Sequence, residues 1–279
     1  MGYKSIVVHV DTSAQGRARV AVAMDLAKQF GAHLSAVYSV FEPDPQTFYV
    51  MAGTAQYFAV HEEERAVQAA AVKRNFDAEL ERMGIEGDWI ETGTFEGTPV
   101  SRYGRCADLI VVGQVNPDDP DTYIGEHFVE DLIMSSGRPV LMIPYTDSLN
   151  TIGGEVMIAW DGSREASRAV ADSMPFLKKA KHTSVVTLDQ AAVSPFSDRI
   201  PGIDIAATIR RHDVNVDVCA VEGVPHARIG EALLSQASDL NAGLLVMGAY
   251  GHARWKEMVL GGATRTLLAS ATLPVLFSH

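Results

Sequence analysis

The sequence predicts an α/β protein built from two repeats, each an open parallel five-stranded sheet with helices on both faces. Three observations lead to this fold class. The second half of the chain repeats the first, strand-like runs alternate with helix-like segments, and those runs are nearly continuous in Val, Ile and Leu. Alternation is typical of a parallel sheet covered by helices, and continuous apolar strands are typical of a sheet buried on both faces.

The repeat is visible at both ends of each half. Residues 5–11 (SIVVHVD) match residues 155–161 (EVMIAWD) at an offset of 150, and both runs end in an aspartate. Residues 108–113 (DLIVVG) match residues 243–248 (GLLVMG) at an offset of 135. The first half therefore carries about 15 additional residues in its middle.

Each half is predicted to contain five strands with helices between them. In the first half the apolar runs predict strands at 4–11, 33–40, 88–92, 109–113 and 139–144. In the second half they predict strands at 155–160, 183–188, 216–221, 244–248 and 274–278. We expect a domain at 1–145 and another at 155–279, because the segment 146–154 is polar, ends in two glycines and has the composition of a linker.

The segments between the strands have apolar residues at helical spacing and are rich in good helix formers. Predicted helices in the first half cover 18–30, 61–83 and a turn or two after Pro99. Those in the second half cover 166–180, 204–212 and 225–240, and a further helix opens at 261–264. The middles of the two repeats differ, because a long helix at 61–83 corresponds to a short one at 204–212.

The composition argues against several classes of protein. A total of 23 Lys and Arg against 35 Asp and Glu gives a net charge of -12, which repels nucleic acid and anionic lipid. Cys106 and Cys219 form no CxxC pair, and no HxH or HxxxH spacing occurs, so no metal site is predicted. No apolar run approaches the roughly 20 residues of a membrane-spanning helix, and the first run is too short for a signal peptide. We therefore expect a soluble cytoplasmic protein.

Three enzyme signatures are also missing. No GxxxxGK[ST] occurs, no GxGxxG follows the first strand of either half, and no GxSxG is present. A standard P-loop ATPase, a dinucleotide-binding fold and an α/β-hydrolase are therefore not supported.

Two loops of the second half are candidates for a ligand site, because open parallel sheets bind ligands at the carboxyl ends of their strands. The loop after the first strand begins with Asp161, whose carboxylate can accept hydrogen bonds from adenine or ribose, although Asp is also an ordinary helix N-cap. The loop after the fourth strand, at 248–264 (GAYGHARWKEMVLGGAT), is rich in glycine and leads into a helix. Glycines permit positive φ and close backbone approach, and Arg254, Lys256 and Arg265 add positive charge.

This second loop resembles the nucleotide loop of the universal stress protein family, Gly-x2-Gly-x9-Gly followed by Ser or Thr, and the resemblance covers nearly the whole chain as two copies. It implies a Rossmann-like fold of the adenine-nucleotide alpha-hydrolase type. It also implies an intramolecular pseudo-dimer, formed through the last strand of each copy. The expected ligand is ATP or a related adenine nucleotide, with or without Mg²⁺, bound by Asp161, Met247, Gly248, Gly251, His252, Gly261, Gly262, Ala263 and Thr264.

Two residues depart from the family pattern. Gly262 replaces the usual hydroxyl residue after Gly261, and Trp160 is large for a residue beside adenine. The alternative interpretation is that the glycines only shape a tight connection between strand and helix. His252 could contact phosphate or act as a proton shuttle.

The same comparison predicts no phosphate site in the first half. At the offset of 135, Asn116 corresponds to Gly251 and Glu126 corresponds to Gly261. Asp119, Asp121 and Glu130 occupy the positions of Arg254, Lys256 and Arg265. Like charge at close range disfavours a triphosphate.

Three functions remain open from the sequence. The resemblance implies a stress-response protein that binds adenine nucleotide in its C-terminal half as a regulatory ligand, rather than an enzyme of one defined reaction. A second hypothesis is slow ATP hydrolysis or phosphoryl transfer by the same loop, with His252, Thr264 and Asp161 as the candidate residues. A third is an interaction scaffold without nucleotide, whose aromatic segment at 41–60 binds a protein or an apolar molecule. A protein partner and a homodimer also remain open.

Overall fold

A computed structural model describes most of the chain. The described residues are 2–40, 55–92, 99–119, 122, 124–125, 127–146, 152–188, 201–250 and 262–279, without the side chains of 55–62, 64, 65, 99 and 226. They form two compact units, one of Tyr3–Phe128 and the other of Val129–His279 together with Met1–Gly2.

The unit Tyr3–Phe128 contains a parallel sheet with the strand order β3-β2-β1-β4. Its elements are β1 (Ser5–Val10), α1 (Ala14–Phe30), β2 (His33–Tyr38), α2 (Ala55–Met83), β3 (Gly87–Glu91), α3 (Pro99–Gly104) and β4 (Leu109–Gly113). Strands β1 and β4 lie in the core, since Ile6, Val8 and Ile110 are fully buried. A strand covered on both faces needs no polar alternation, as the apolar runs predicted.

Local signals fix both ends of α1. The backbone N of Gly16 donates to Ser13 Oγ at 2.8 Å, which satisfies one of the free N–H groups of the first turn. Gly31 ends the helix at a φ of 60°, a left-handed conformation that glycine adopts without the penalty of a side chain. The helix therefore covers the whole connection between β1 and β2.

The second unit contains the remaining elements. They are α4 (Phe128–Ser136), β5 (Val140–Ile143), β6 (Glu155–Ala159), α5 (Arg164–Leu177), β7 (His182–Leu188), α6 (Gly202–Arg210), β8 (Val216–Val221), α7 (Ile229–Asp239), β9 (Leu244–Gly248), α8 (Gly262–Ser270) and β10 (Val275–Ser278). The strand order is β5-β10-β9-β6-β7-β8, and its pairs are parallel except β5 with β10. In that antiparallel pair Leu276 lies opposite Leu141.

The pairing of β5 with β10 joins the last strands of the two repeats, as the resemblance implied. It also explains why the compact units differ from the repeats: β5 belongs to the first repeat by sequence and packs with β10 in the second unit. The domain boundaries at 145 and 155 stay a prediction about the repeats.

The predicted fold class and strands are confirmed, but three helix starts were wrong. α1 begins at Ala14 rather than at residue 18, α2 begins at Ala55 rather than at residue 61, and α7 begins at Ile229, after a 3-10 turn at His226–Arg228, rather than at residue 225. Residues 55–60 were assigned to the loop segment 41–60, since the helix was expected to begin at the acidic residues after His61, yet neither Gly nor Pro interrupts 55–83 and the helix extends through them. The rest of the aromatic segment, 41–54, lies outside the described residues.

Candidate functional site

The sheet register brings two candidate residues of the second repeat to one edge. β6 and β9 are adjacent and parallel, with Ala159 opposite Met247. Asp161 follows β6 and Gly248 ends β9, so both lie at the carboxyl ends of neighbouring strands. Asp161 is exposed and Met247 is buried. This is the edge at which open parallel sheets bind ligands.

A tight turn connects Asp161 to α5. Asp161 Oδ1 accepts a hydrogen bond from the backbone N of Ser163 at 3.0 Å. Ser163 Oγ then accepts from the backbone N of Ala166 at 3.1 Å and caps the helix. Ser163, rather than Asp161, is therefore the N-cap of α5, and the Asp161 side chain lies at the surface.

Gly248 packs against the first turn of α5. A Cβ added at Gly248 would overlap the backbone N of Ala166 and the backbone carbon of Glu165. The close packing of α5 therefore requires a glycine at position 248 even without a ligand. This agrees with the alternative interpretation, in which the loop glycines only shape a tight connection between strand and helix.

The first turn of α8 carries three more candidates. Gly262 is exposed with open space around its Cα, Ala263 is half-buried, and Thr264 is buried. The first turn of a helix leaves backbone N–H groups without partners inside the helix, so it can receive an anion. Gly251, His252 and Gly261 lie outside the described residues, as do Arg254 and Lys256.

Tyr250 belongs to this edge and was not identified from the sequence. Its φ of 59° is left-handed, and its buried hydroxyl has no hydrogen-bond partner among the described residues. Burial raises the pKa of Tyr250, the Glu130 and Asp131 carboxylates raise it further, and Arg265 opposes them. Arg265, which was predicted to add positive charge near the phosphates, therefore influences the same hydroxyl as two acidic residues of α4. No sequence motif identifies Tyr250, because the negative charges that influence it come from α4, a helix distant in sequence.

Trp160, the residue expected beside adenine, is buried. Its backbone N donates to the carbonyl O of Val186 at 2.9 Å, which continues the pairing of β6 with β7 by one residue. The large Trp160 side chain therefore lies in the interior of this unit.

The corresponding edge of the first repeat is closed by a buried ion pair. Arg19 Nη2 donates to Asp11 Oδ2 at 2.8 Å, and the two side chains are 3% and 1% exposed. Arg19 Nε donates to the carbonyl O of His9 at 2.7 Å, and Ser13 Oγ donates to Asp11 Oδ1 at 2.6 Å. A Cβ added at Gly113 would overlap the Arg19 guanidinium, so this group lies against the end of β4.

Burial and charge shift the titration of two groups here. Burial alone would raise the pKa of Asp11, but Arg19 and the hydrogen bonds from Ser13 and Arg19 outweigh it and lower the pKa to about 2. Burial, aided by Arg19, lowers the pKa of His9 to about 4. Near neutral pH the site therefore holds an ionised aspartate, a paired arginine and a neutral histidine.

The position of Arg19 is the main difference between the two edges. At the offset of 150, Ser13 corresponds to Ser163 and Arg19 corresponds to Ala169. Ala169 is fully buried and has no charged group that could pair with Asp161, whereas Arg19 forms an ion pair with Asp11. The difference is visible in the sequence once the two halves are aligned, as an arginine at position 19 opposite an alanine at position 169.

Two other classes of site are not found among the described residues. Among them no group of three or more His, Cys, Asp or Glu side chains is placed to hold a metal ion. No helix in the same part of the chain is long and apolar enough to cross a membrane.

Comparisons with known proteins identify the fold. The sequence matches no known protein family and no curated protein. The structure is similar to that of a universal stress protein from Archaeoglobus fulgidus DSM 4304, at 17% identity and a TM-score of 0.72, over 98% of this chain and 95% of that one. It is also similar to a protein of unknown function from Pseudomonas aeruginosa PAO1, at 16% identity and a TM-score of 0.61, over 99% and 92% of the two chains. The chain therefore has, over nearly its whole length, the fold of a universal stress protein, as its loop pattern predicted.

Proposed function

We propose that this chain is a cytoplasmic stress-response protein that binds ATP or a related adenine nucleotide in its second repeat and passes that occupancy to a protein partner. The observation that carries the proposal is the contrast between the two strand edges. The second repeat keeps an exposed carboxylate at Asp161, where the first repeat has the buried pair of Asp11 and Arg19.

The described geometry supports a role for two parts of the site. Asp161 accepts hydrogen bonds from the base or the ribose, since its carboxylate is exposed at the end of β6. The first turn of α8, from Gly262 to Thr264, receives phosphate through its free N–H groups. In this proposal Gly251, His252 and Gly261 complete the phosphate contacts, and any Mg²⁺ is carried with the nucleotide.

The first repeat is proposed to bind no nucleotide. The Asp11 carboxylate is already saturated by Arg19 and Ser13, and displacing Arg19 would leave a buried charge without its partner. Asp118 and Glu130 add negative charge to the residues that follow β4.

The experiment is a calorimetric titration of the purified protein with ATP, with and without Mg²⁺. We expect saturable heat from the wild type and a Kd about tenfold higher for Thr264→Val, because that change removes one hydroxyl donor to phosphate. Thr208→Val is the matched control, since Thr208 is an exposed helical threonine of α6 outside the candidate site.

Circular dichroism shows whether both variants remain folded. Absence of heat at millimolar ATP would contradict the proposal. Equal weakening by the two threonine substitutions would contradict the assignment of phosphate to the first turn of α8.

A further inference from the structure

A cleft of about 600 Å³ lies between α1 and α2 in the unit Tyr3–Phe128. Val20 and Met24 line it from α1, and Val72 and Phe76 line it from α2. Its volume falls within the range of small-molecule sites, which are mostly apolar with a few polar groups. None of the candidate nucleotide residues of the second repeat lines it.

The cleft follows one stripe on each helix, so it is elongated. The lining residues of α2 extend from Gln68 to Met83, about 22 Å along a helix that rises 1.5 Å per residue. Those of α1 extend from Gly16 to Asp25, about 13 Å. Two helices in full contact would exclude such a space, since their axes then lie 8–10 Å apart.

Apolar surface remains accessible to solvent along these stripes. Val20, Ala71 and Val72 are half-buried and Ala21 is exposed, although all four line the cleft. Each Å² of apolar surface left in water costs about 25 cal/mol relative to burial. A ligand with an apolar body would therefore gain affinity by covering these side chains.

The charges around the cleft compensate one another. Asp11 is paired with Arg19, and Glu79 accepts hydrogen bonds from Arg82 Nε at 2.9 Å and Nη2 at 2.6 Å. Arg17 and Asp25, of opposite sign, complete the charged residues that line it. The balance contrasts with a net charge of -12 for the whole chain. Together with Arg19 these lining residues sum to zero charge, so the cleft as a whole favours a ligand of neither sign.

We propose that the cleft between α1 and α2 binds an elongated, uncharged, apolar small molecule. The site is independent of nucleotide binding in the second repeat, and it gives the first repeat a ligand of a different chemical class.

The test uses N-phenyl-1-naphthylamine, a neutral aromatic probe whose fluorescence rises in apolar surroundings. Ala71→Phe places a large side chain at a residue that lines the cleft, whereas Ala70→Phe places it on the next, exposed residue of α2, which does not. We expect saturable binding by the wild type and by Ala70→Phe, and a Kd at least about tenfold higher for Ala71→Phe. No saturable binding by the wild type, or equal binding by both variants, would overturn the proposal.

A second titration tests the charge of the ligand. The probe 1-anilinonaphthalene-8-sulfonate has the same aromatic body with an added sulfonate, so we expect it to bind about tenfold more weakly than the neutral probe. Equal or tighter binding of the sulfonate would show that the cleft takes an anion instead. Repeating the neutral titration at saturating ATP separates this site from the nucleotide site, because the Kd of the probe is expected to stay unchanged.

Discussion

Arg19 is the residue that distinguishes the two repeats chemically. Its guanidinium contacts Asp11, the carbonyl O of His9 and the region of Gly113, which joins β1, α1 and β4 at a single buried point. A buried pair of this kind adds little net stability compared with an apolar replacement, but removal of one partner leaves a buried charge uncompensated.

Replacement of Arg19 by Met is therefore expected to destabilise the protein strongly. Met keeps most of the aliphatic volume, so the loss reports the unpaired Asp11 carboxylate, and we expect about 3 kcal/mol or more in the free energy of unfolding measured in urea. The control is Arg168→Met, which removes a partly exposed pair with Asp172 at 2.8 Å and is expected to cost less than about 1 kcal/mol. Similar losses from both substitutions would show that the Arg19 pair is not buried as described.

His9 is expected to make stability depend on pH in a defined window. Because burial lowers the pKa of His9 from 6.5 to about 4, the unfolded chain binds a proton between these values that the folded chain does not. Stability contributed by neutral His9 is complete above pH 6.5 and is lost as the pH falls towards 4, by at most about 3 kcal/mol. Asp11 changes the stability with pH only below its ordinary pKa of 3.8, because its pKa in the folded protein is about 2.

The measurement compares urea unfolding at pH 7.0 and pH 5.0. We expect the loss of stability between these pH values to be smaller in His9→Gln than in the wild type, because glutamine does not titrate. Thr208→Val is the control, since Thr208 is exposed and carries no group that titrates in this range, and it should keep the slope of the wild type. An unchanged slope in His9→Gln would mean that His9 is protonated in the folded protein at pH 5.

Residue patterns predicted Asp161 and the glycines but not the role of Arg19. Asp161 and Gly248 follow apolar strands, and that local pattern places them at a strand edge. The guanidinium of Arg19 reaches Asp11 and the carbonyl O of His9 only after α1 packs on the sheet, so its role depends on tertiary packing and not on a local motif. The same holds for Tyr250, whose environment includes Glu130 and Asp131 from α4.

At the scale of elements, strands were easier to predict than helix starts. Each of the ten predicted strands lies within two residues of the observed bounds, because a fully buried parallel strand requires a continuous apolar run. Helix starts depend on weaker preferences, and the acidic residues after His61 have the composition of a helix N-terminus although α2 begins at Ala55.

Glycines in connecting loops were also ambiguous at this scale. A glycine in a strand-to-helix loop can serve a ligand or a neighbouring helix, and the sequence alone does not separate the two. At Gly248 the structure shows that the first turn of α5 occupies the space a side chain would need. The ligand role of the remaining loop glycines stays a proposal.

At the scale of the whole molecule, two repeats of one fold present different strand edges. The edge in Tyr3–Phe128 ends in a buried ion pair, with an apolar cleft beside α1. The edge in the second unit ends in the exposed Asp161 and the first turn of α8. We therefore expect a division of ligands between the repeats, with one nucleotide for each chain.

The most direct test of this account measures the stoichiometry of nucleotide binding in the wild type and in a variant that has an arginine at the position of the second repeat that corresponds to Arg19. We predict one ATP for each chain in the wild type and loss of that binding in folded Ala169→Arg, whose guanidinium would pair with Asp161 as Arg19 pairs with Asp11. Ala171→Arg, at an exposed position of the same helix, should still bind one ATP. Two ATP molecules for each chain, or undiminished binding by folded Ala169→Arg, would contradict the account.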